Sequence, residues 1–270
     1  MSEAIQFLFD RLWSDFIRIN PQAQRLQQLL ADRGDRVVTD HIALRTFRHD
    51  RLGIDATAQS FERLGYSAGA EYEFPERKLH GRHYEHPAPG MPGVFISELK
   101  LEECSRGLRD IVAALTRQVD TAALPEDALV LGGCPWYPVL HDSYQRLRSE
   151  SEYAAWVAAF GYRANHFTVS VNALESFDSL AELNAFLRDN GFGLNDREGE
   201  IMGSPETLLE QSATLAAPCE VQFADGRHDI PGGYLEFALR HPLPNGELFS
   251  GFVTGAADRI FDSTDFRDIA

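Results

Sequence analysis

The chain contains little cysteine, with only three residues in 270, at Cys104, Cys134 and Cys219. The number is odd, the spacings are wide, and no Cys-x-x-Cys pair occurs. A disulfide framework needs paired cysteines, and a thiolate zinc site needs closely spaced ones. The sequence therefore argues against both a disulfide-stapled module and a cysteine-ligated zinc site.

Positive charge and long apolar runs are also scarce. Lys and Arg number 25 against 41 Asp and Glu, a net charge of −16. This charge would repel nucleic-acid phosphates and anionic lipid, although a local arginine or a metal ion could still bind an anionic substrate. The chain begins without a basic leader, and no stretch reaches the length of a membrane span. We therefore expect a cytoplasmic protein that binds neither nucleic acid nor membrane. No motif indicates its oligomeric state.

Two short segments that resemble each other are the most informative feature present. Asp40-His41-Ile42-Ala43-Leu44-Arg45-Thr46 and Asn165-His166-Phe167-Thr168-Val169-Ser170-Val171 both begin with a polar residue and a histidine. Apolar and small residues then alternate, which is the period of a β-strand. Each histidine therefore opens the polar face of a strand whose other face is apolar.

The segments around these strands are ordered in the same way in both halves of the chain. Each histidine strand is followed by a short helix and later by an apolar strand that contains one glutamate, Glu98 or Glu236. Helical periodicity precedes the first half and separates the two halves. We predict a single catalytic domain over 1–270, whose parts are N-terminal helices (1–36), a first module (37–104), a helical connector (105–160), and a second module with a C-terminal helix (161–270).

Smaller features of the second half are also predicted. We expect strands at 220–224 and 234–240, and the Asp225-Gly226 step is typical of a turn between them. The segment 252–261 has the pattern of a short terminal helix.

A glutamate inside an apolar strand is costly unless it is paired or binds a metal ion. Glu236 has such surroundings, and Arg240 on the same strand face is an alternative partner. With His41 and His166 it would form a two-histidine, one-carboxylate triad, assembled by the fold because the three residues are far apart in sequence. Such a triad leaves about three positions open on an octahedral metal. That arrangement suits Fe(II) with dioxygen, or a Lewis-acid metal with bound water. The alternative is that the histidines are ordinary core or surface residues.

The segments Asp40–Thr46, Asn165–Thr168 and Gly233–Phe237 resemble, in the same order, the motifs of the 2-oxoadipate dioxygenase/decarboxylase family, within the vicinal oxygen chelate superfamily. The resemblance implies an α+β fold of two pseudo-repeated βαβββ modules that form a cupped sheet. It also implies a non-haem Fe(II) enzyme of lysine catabolism with His41, His166 and Glu236 as ligands. The family uses O₂ to convert the 2-oxo acid 2-oxoadipate into 2-hydroxyglutarate and CO₂. Purified protein could instead carry Zn²⁺ or Ni²⁺.

Several other residues are candidates for the same site. Arg45 lies on the strand face of His41, and its guanidinium could bind a substrate carboxylate through two hydrogen bonds; the family also has an arginine here that contacts substrate. A structural pair with an acidic residue is the alternative. Lys78 and His80 belong to the one basic run, 77–86, which either lines the mouth of the pocket or forms a solvated hairpin.

Glu98 separates the competing functions. As a fourth metal ligand it would favour a glyoxalase-like lyase or hydrolase, because it would close a position that substrate or O₂ needs. As a residue outside the metal shell it would favour the dioxygenase. A non-catalytic ligand-binding protein of the same fold is a third hypothesis.

Overall fold

The computed structural model describes residues 3–125, 127–197 and 199–253. These residues form the helices α1 (Glu3–Ile19), α2 (Pro21–Ala31), α3 (Ile54–Glu62), α4 (Arg106–Thr116), α5 (Ala128–Leu131), α6 (His141–Glu150), α7 (Glu152–Phe160) and α8 (Leu180–Asp189). The strands are β1 (Thr39–Phe47), β2 (Ser67–Phe74), β3 (Leu79–Glu85), β4 (Gly93–Leu99), β5 (Ala164–Ser170), β6 (Met202–Ser204), β7 (Leu209–Ala213), β8 (Pro218–Phe223), β9 (Gly226–Pro231) and β10 (Tyr234–Arg240).

Eight of these strands form one sheet in the order β2-β3-β4-β1-β5-β10-β7-β6. Within each half, the histidine strand runs parallel to the glutamate strand, β1 with β4 and β5 with β10. The halves join where β1 and β5 run antiparallel. The first half is β1-α3-β2-β3-β4 and the second is β5-α8-β6-β7-β10, so the predicted fold of two βαβββ modules is confirmed.

Alternation along the histidine strands sends apolar residues to one side of the sheet and the site residues to the other. The apolar side is covered by α1, whose buried stripe recurs at three- and four-residue steps. The Phe16 ring lies 5.0 Å from the Phe167 ring of β5, and Trp13 lies 5.1 Å from the same ring. This packing leaves the opposite face of β1 and β5 to line a cavity between the halves.

The second half departs from the prediction in three places. The Asp225-Gly226 turn joins β8 to β9, a separate two-stranded sheet, and does not lead directly into β10. Strands β6 and β7 were not predicted, because β6 has three residues and β7, Leu-Glu-Gln-Ser-Ala, lacks the β-branched and aromatic residues typical of strands. Most of the helix predicted over 252–261 lies outside the described residues, and Phe252 and Val253 are not helical.

The connector between the halves contains α4 to α7, with irregular chain around Pro125, Gly132, Gly133 and Pro135. In the part of the chain that the structure describes, every helix is too short or too polar to cross a bilayer.

Candidate metal centre

Three side chains from separate strands meet in the cavity between the halves. His41 on β1, His166 on β5 and Glu236 on β10 each offer one ligand atom, and these atoms lie within 4.8 Å of one another. Glu236 Oε1 is 3.6 Å from His41 Nε2, and Glu236 Oε2 is 3.2 Å from His166 Nε2. All three residues are buried.

Strand register explains this convergence. On the antiparallel pair, His41 lies opposite Thr168 and His166 lies opposite Ala43, so the two histidines are diagonal neighbours on one face. On the parallel pair, Glu236 lies beside Thr168. The fold therefore assembles a cluster that no local spacing contains.

A charged pair supports His41 from the side away from Glu236. His41 Nδ1 donates to Asp40 Oδ1 at 2.8 Å, because an ionised carboxylate can only accept. Arg240 donates to both Asp40 oxygens, from Nε at 2.7 Å and from Nη2 at 2.8 Å. Burial alone would raise the pKa of Asp40, but the hydrogen bonds from His41 and Arg240 outweigh it and hold that pKa well below its usual range. Arg240, considered from sequence as a partner for Glu236, thus pairs with Asp40.

This arrangement fixes the tautomer of His41. With a proton on Nδ1, the lone pair of Nε2 points into the cavity, where the Thr168 hydroxyl lies 3.0 Å away. A carboxylate behind a histidine in this way is the common support of metal-binding imidazoles, because it orients the ring and raises its basicity.

The electrostatics of the cluster suit a cation. Burial raises the pKa of Glu236 to about 7, despite the opposing influence of His41 and a hydrogen bond from Gln211. Burial, together with His41 and Arg45, holds the pKa of His166 well below its ordinary value, so its ring is neutral. A neutral imidazole and a carboxylate are the ligand forms that divalent transition metals bind. The donor set therefore fits a metal ion.

The cavity that these ligands face is lined by residues from both halves and by the chain after β10. The other lining residues are Ala43, Arg45, Phe95, Ser97, Asn165, Gln211, Tyr234 and Phe252. The surface that these residues expose to the cavity is mostly apolar, and the polar groups are held at fixed positions, as in ligand-binding cavities generally.

Arg45 also lines the cavity and is 2% exposed. Its guanidinium carbon is 5.1 Å from the Tyr153 ring centroid and 5.4 Å from that of Trp156, both on α7. Burial lowers the pKa of Arg45, and the neighbouring Tyr234 and Tyr153 oppose that change. An arginine stays charged even so, which makes this part of the cavity a place for an anion.

Lys78 and His80 lie outside the cavity. Lys78 borders a separate cleft that Arg45 also lines, and its Nζ is 3.5 Å from Glu150. His80 lies on the opposite face of the sheet, where its Nδ1 is 3.3 Å from Glu98.

Glu98 lies on the same opposite face. Among the residues that the structure describes, it does not join the group of His41, His166 and Glu236. It accepts a hydrogen bond from Arg48 Nε at 2.8 Å. The hypothesis that Glu98 is a fourth ligand is therefore wrong, because the alternation of β4 points its side chain away from the cavity.

Sequence reasoning missed four residues that shape the site. Asp40 precedes His41 directly, so the Asp-His pair was visible as a signal, but its partner Arg240 lies 200 residues away along the chain. Gln211, Phe95 and Phe252 carried no motif, since an amide or an aromatic ring is unremarkable in sequence.

Comparison with known proteins places this chain in a family. The sequence profile of the 2-oxoadipate dioxygenase/decarboxylase family matches residues 10–248. A protein of Oryza sativa subsp. japonica named 2-oxoadipate dioxygenase/decarboxylase, chloroplastic/amyloplastic, is 36% identical over 274 residues, covering 92% of this chain and 75% of the rice protein.

Two solved structures have closely similar folds. Hydroxyglutarate synthase from Oryza sativa, crystallised in complex with 2-oxoadipate, has a TM-score of 0.90 at 34% identity, covering 98% of this chain and 94% of that one. A candidate hydrolase from Shewanella frigidimarina NCIMB 400 has a TM-score of 0.87 at 46% identity, covering 93% of this chain and 98% of that one. The motif resemblance is thus confirmed, and the chain belongs to the 2-oxoadipate dioxygenase/decarboxylase family.

Proposed function

We propose that the protein is an Fe(II)-dependent dioxygenase that oxidatively decarboxylates a 2-oxo acid, with 2-oxoadipate as the preferred substrate. One 2-oxoadipate and one O₂ would give one 2-hydroxyglutarate and one CO₂, so that both oxygen atoms are accounted for. The observation that carries the proposal is the buried cluster of His41, His166 and Glu236, with Arg45 in the lining of the same cavity. The relative crystallised with 2-oxoadipate supports the choice of substrate.

The three ligands would hold the metal through His41 Nε2, His166 Nε2 and one or both Glu236 oxygens. Three protein ligands leave open positions on an octahedral ion. When bound, Fe(II) supplies the capacity to bind a 2-oxo acid and dioxygen side by side and to exchange electrons with both. Asp40 keeps the proton of His41 on Nδ1, so that Nε2 remains available to the metal.

Arg45 would orient the substrate. Its two parallel N–H groups match a carboxylate, and in a cavity shielded from water such a pair is stronger than at the surface. A diacid bound at the metal through its 2-oxo end would then place its other carboxylate at Arg45. Apolar walls such as Phe95 and Phe252 would exclude water around the reacting carbons.

Lys78 would act further out, in the cleft that borders Arg45, by attracting the diacid toward the cavity. A direct role for His80 stays a prediction from sequence, as do the cytoplasmic location and the place in lysine catabolism.

The test is oxygen consumption by protein loaded anaerobically with Fe(II). Mixing it with 2-oxoadipate and air should consume O₂ and release CO₂ in equal amounts, with 2-hydroxyglutarate detected by mass spectrometry. His41→Ala should abolish all three signals, whereas His49→Ala, outside the cavity, should leave them unchanged. Turnover without O₂ would point instead to lyase or hydrolase chemistry. Metal-independent binding without turnover, for 2-oxoadipate and a panel of other 2-oxo acids, would point to a ligand-binding protein.

A further inference from the structure

The chain after β10 folds back over the cluster of His41, His166 and Glu236. The amide N–H of Phe249 donates to the His241 carbonyl at 3.1 Å, which closes a turn, and Phe252 then lines the cavity. We call residues 248–253 the strap. Its Phe252 ring lies edge-on to the His41 ring at 4.7 Å and 5.2 Å from the Phe95 ring. The strap therefore forms the wall of the cavity next to His41.

One arginine holds the strap and supports His41 at the same time. Arg240 Nη1 donates to the carbonyl oxygens of Phe249 at 2.8 Å and Gly251 at 2.9 Å. Its Nε and Nη2 donate to Asp40, which in turn accepts from His41. A planar guanidinium can make all four contacts at once, because its donors are fixed in direction.

The cavity is too small to hold a small organic substrate unless the strap moves. With the strap in place, the cavity behind Phe252 has a volume of about 30 Å³. Sites for small organic ligands usually enclose several hundred Å³. On the outer side of Phe252 lies a groove of about 320 Å³, bordered also by Asp40 and Arg240. Displacing Phe252 would join the groove to the cavity.

We propose that Arg240 is a latch that couples closure of the strap over the site to the orientation of His41. When the strap is closed, its two carbonyl groups and Asp40 fix the guanidinium, which keeps Asp40 against His41 Nδ1. When the strap lifts to admit substrate, Arg240 loses two acceptors and its hold on Asp40 loosens. Arg240 is a positioning residue in this account, since it contacts neither substrate nor the proposed metal. The contacts that make this coupling lie entirely within the chain. Only the role of the coupling in admitting substrate rests on the proposed function.

Two measurements on metal-free protein test the coupling. Hydrogen–deuterium exchange of the peptide 248–253, followed by mass spectrometry, reports opening of the strap. The ¹⁵N shifts of selectively labelled histidine report the tautomer of His41, assigned with the His41→Gln variant. Arg240→Met should speed exchange of the strap about tenfold or more and should mix the two His41 tautomers. Arg240→Lys retains the charge but not the fork of donors, so it should shift both readouts in the same direction by less.

The decisive variant is Asp40→Asn, because Asp40 has no described contact with the strap. It should disturb the His41 tautomer directly and, through Arg240, also speed exchange of residues 248–253. Arg227→Met, at an exposed arginine of β9 that pairs with Glu220 of β8, serves as the matched control and should change neither signal. Protection of α1 amides would show that each variant remains folded.

The proposal is overturned if Asp40→Asn changes the His41 tautomer while strap exchange stays at the wild-type rate, or if Arg240→Met frees the strap without any effect on His41. Titration with Mn²⁺ separates this result from failure of the proposed function. Absence of Mn²⁺ binding to wild-type protein would contradict the metal site and leave the latch measurements valid. If Mn²⁺ binds, it should slow strap exchange in the wild type and have a much smaller effect in Arg240→Met.

Discussion

The two halves of the sheet have the same architecture but contribute different chemistry to the site. His41 pairs with Gly93 on the parallel strand of its half, and His166 pairs with Tyr234 in the other. Two residues further along, this register makes Phe95 the structural counterpart of Glu236. One half therefore supplies a carboxylate where the other supplies an aromatic wall.

The neighbouring strands are adapted to this difference. Gln211 on β7 donates a hydrogen bond to Glu236. Its counterpart on β3 is Gly81, where an added Cβ would lie only 2.6 Å from Phe95 Cζ. One half thus has the Gln211 amide, which binds Glu236. The other half has a glycine at that position, and the lack of a side chain leaves room for the Phe95 ring. Two identical halves would give the site a carboxylate from each half, but here only one half provides one. The side of the site next to Phe95 therefore lacks a ligand, and a substrate can bind there.

The largest effect should come from removing the ligand that only one half provides. Glu236→Ala should lose most bound iron and lower kcat by at least about a thousandfold, because two neutral histidines hold a divalent ion weakly. Metal analysis and turnover check this. Iron content equal to that of the wild type would contradict the ligand assignment.

A second variant makes the halves alike. Phe95→Glu places a carboxylate at the counterpart of Glu236, so a fourth ligand should tighten metal binding and close a position that substrate or O₂ needs. We expect oxygen-dependent turnover to fall about a hundredfold while metal content is retained. Phe95→Leu, which keeps an apolar wall, is the control and should retain most activity. Unchanged turnover in Phe95→Glu would show that the apolar wall is not required.

The two halves also differ further along the histidine strands, at the position of Arg45. Its counterpart in the second half is Ser170, at the same distance from its histidine. Arg45→Lys should be nearly as damaging as Arg45→Ala, since both lose the two-pronged contact, with kcat/KM falling about tenfold to a hundredfold and metal content unchanged. Ser170→Ala should have little effect on kcat/KM. Full activity in Arg45→Lys would indicate that charge alone is sufficient.

The residues before the two histidines also differ. His41 donates to the carboxylate of Asp40 at 2.8 Å, whereas His166 Nδ1 lies 3.4 Å from the amide oxygen of Asn165. Asp40→Asn should weaken metal affinity about tenfold to a hundredfold, as for other supports of metal-binding histidines. Asn165→Ala should weaken it by less. Equal losses would show that the anionic support is not specific to the first half.

The smallest effect is a pH dependence near neutral pH that arises from Glu236 in the second half. The pKa of Glu236 is raised to about 7, above its value in the unfolded chain, so burial favours the protonated form. In metal-free protein this contribution to stability is fully present at low pH and is lost as the pH rises through about 7. Metal binding needs the carboxylate, so apparent affinity should fall by up to tenfold per pH unit below 7. In Glu236→Gln the stability change near pH 7 should disappear, as thermal unfolding at several pH values would show.

The sequence predicted the meeting of His41, His166 and Glu236 better than it predicted the second half of the fold. The two histidines were visible because each opens an alternating strand, and Glu236 because a charge in an apolar strand needs a partner. The same reasoning left the role of Glu98 open, since a shift by an odd number of residues moves a side chain to the other face of a strand. Strand register depends on pairing across the sheet, so sequence alone did not reveal that Phe95 is the counterpart of Glu236.

Long-range polar contacts were hidden for a related reason. Arg240 shares a strand face with Glu236 but binds Asp40, and only the antiparallel joining of β1 and β5 brings that carboxylate within reach. The strand at 220–224 and the Asp225-Gly226 turn were predicted, but β9 was missed because its sequence contains few β-branched or aromatic residues.

Anomalous diffraction at the iron edge, from crystals grown without oxygen in Fe(II) and 2-oxoadipate, tests the central claim most directly. We predict one iron peak about 2.1 Å from His41 Nε2, His166 Nε2 and a Glu236 oxygen, with 2-oxoadipate on the side of Phe95. An iron peak elsewhere, or none among these three side chains, would contradict the account.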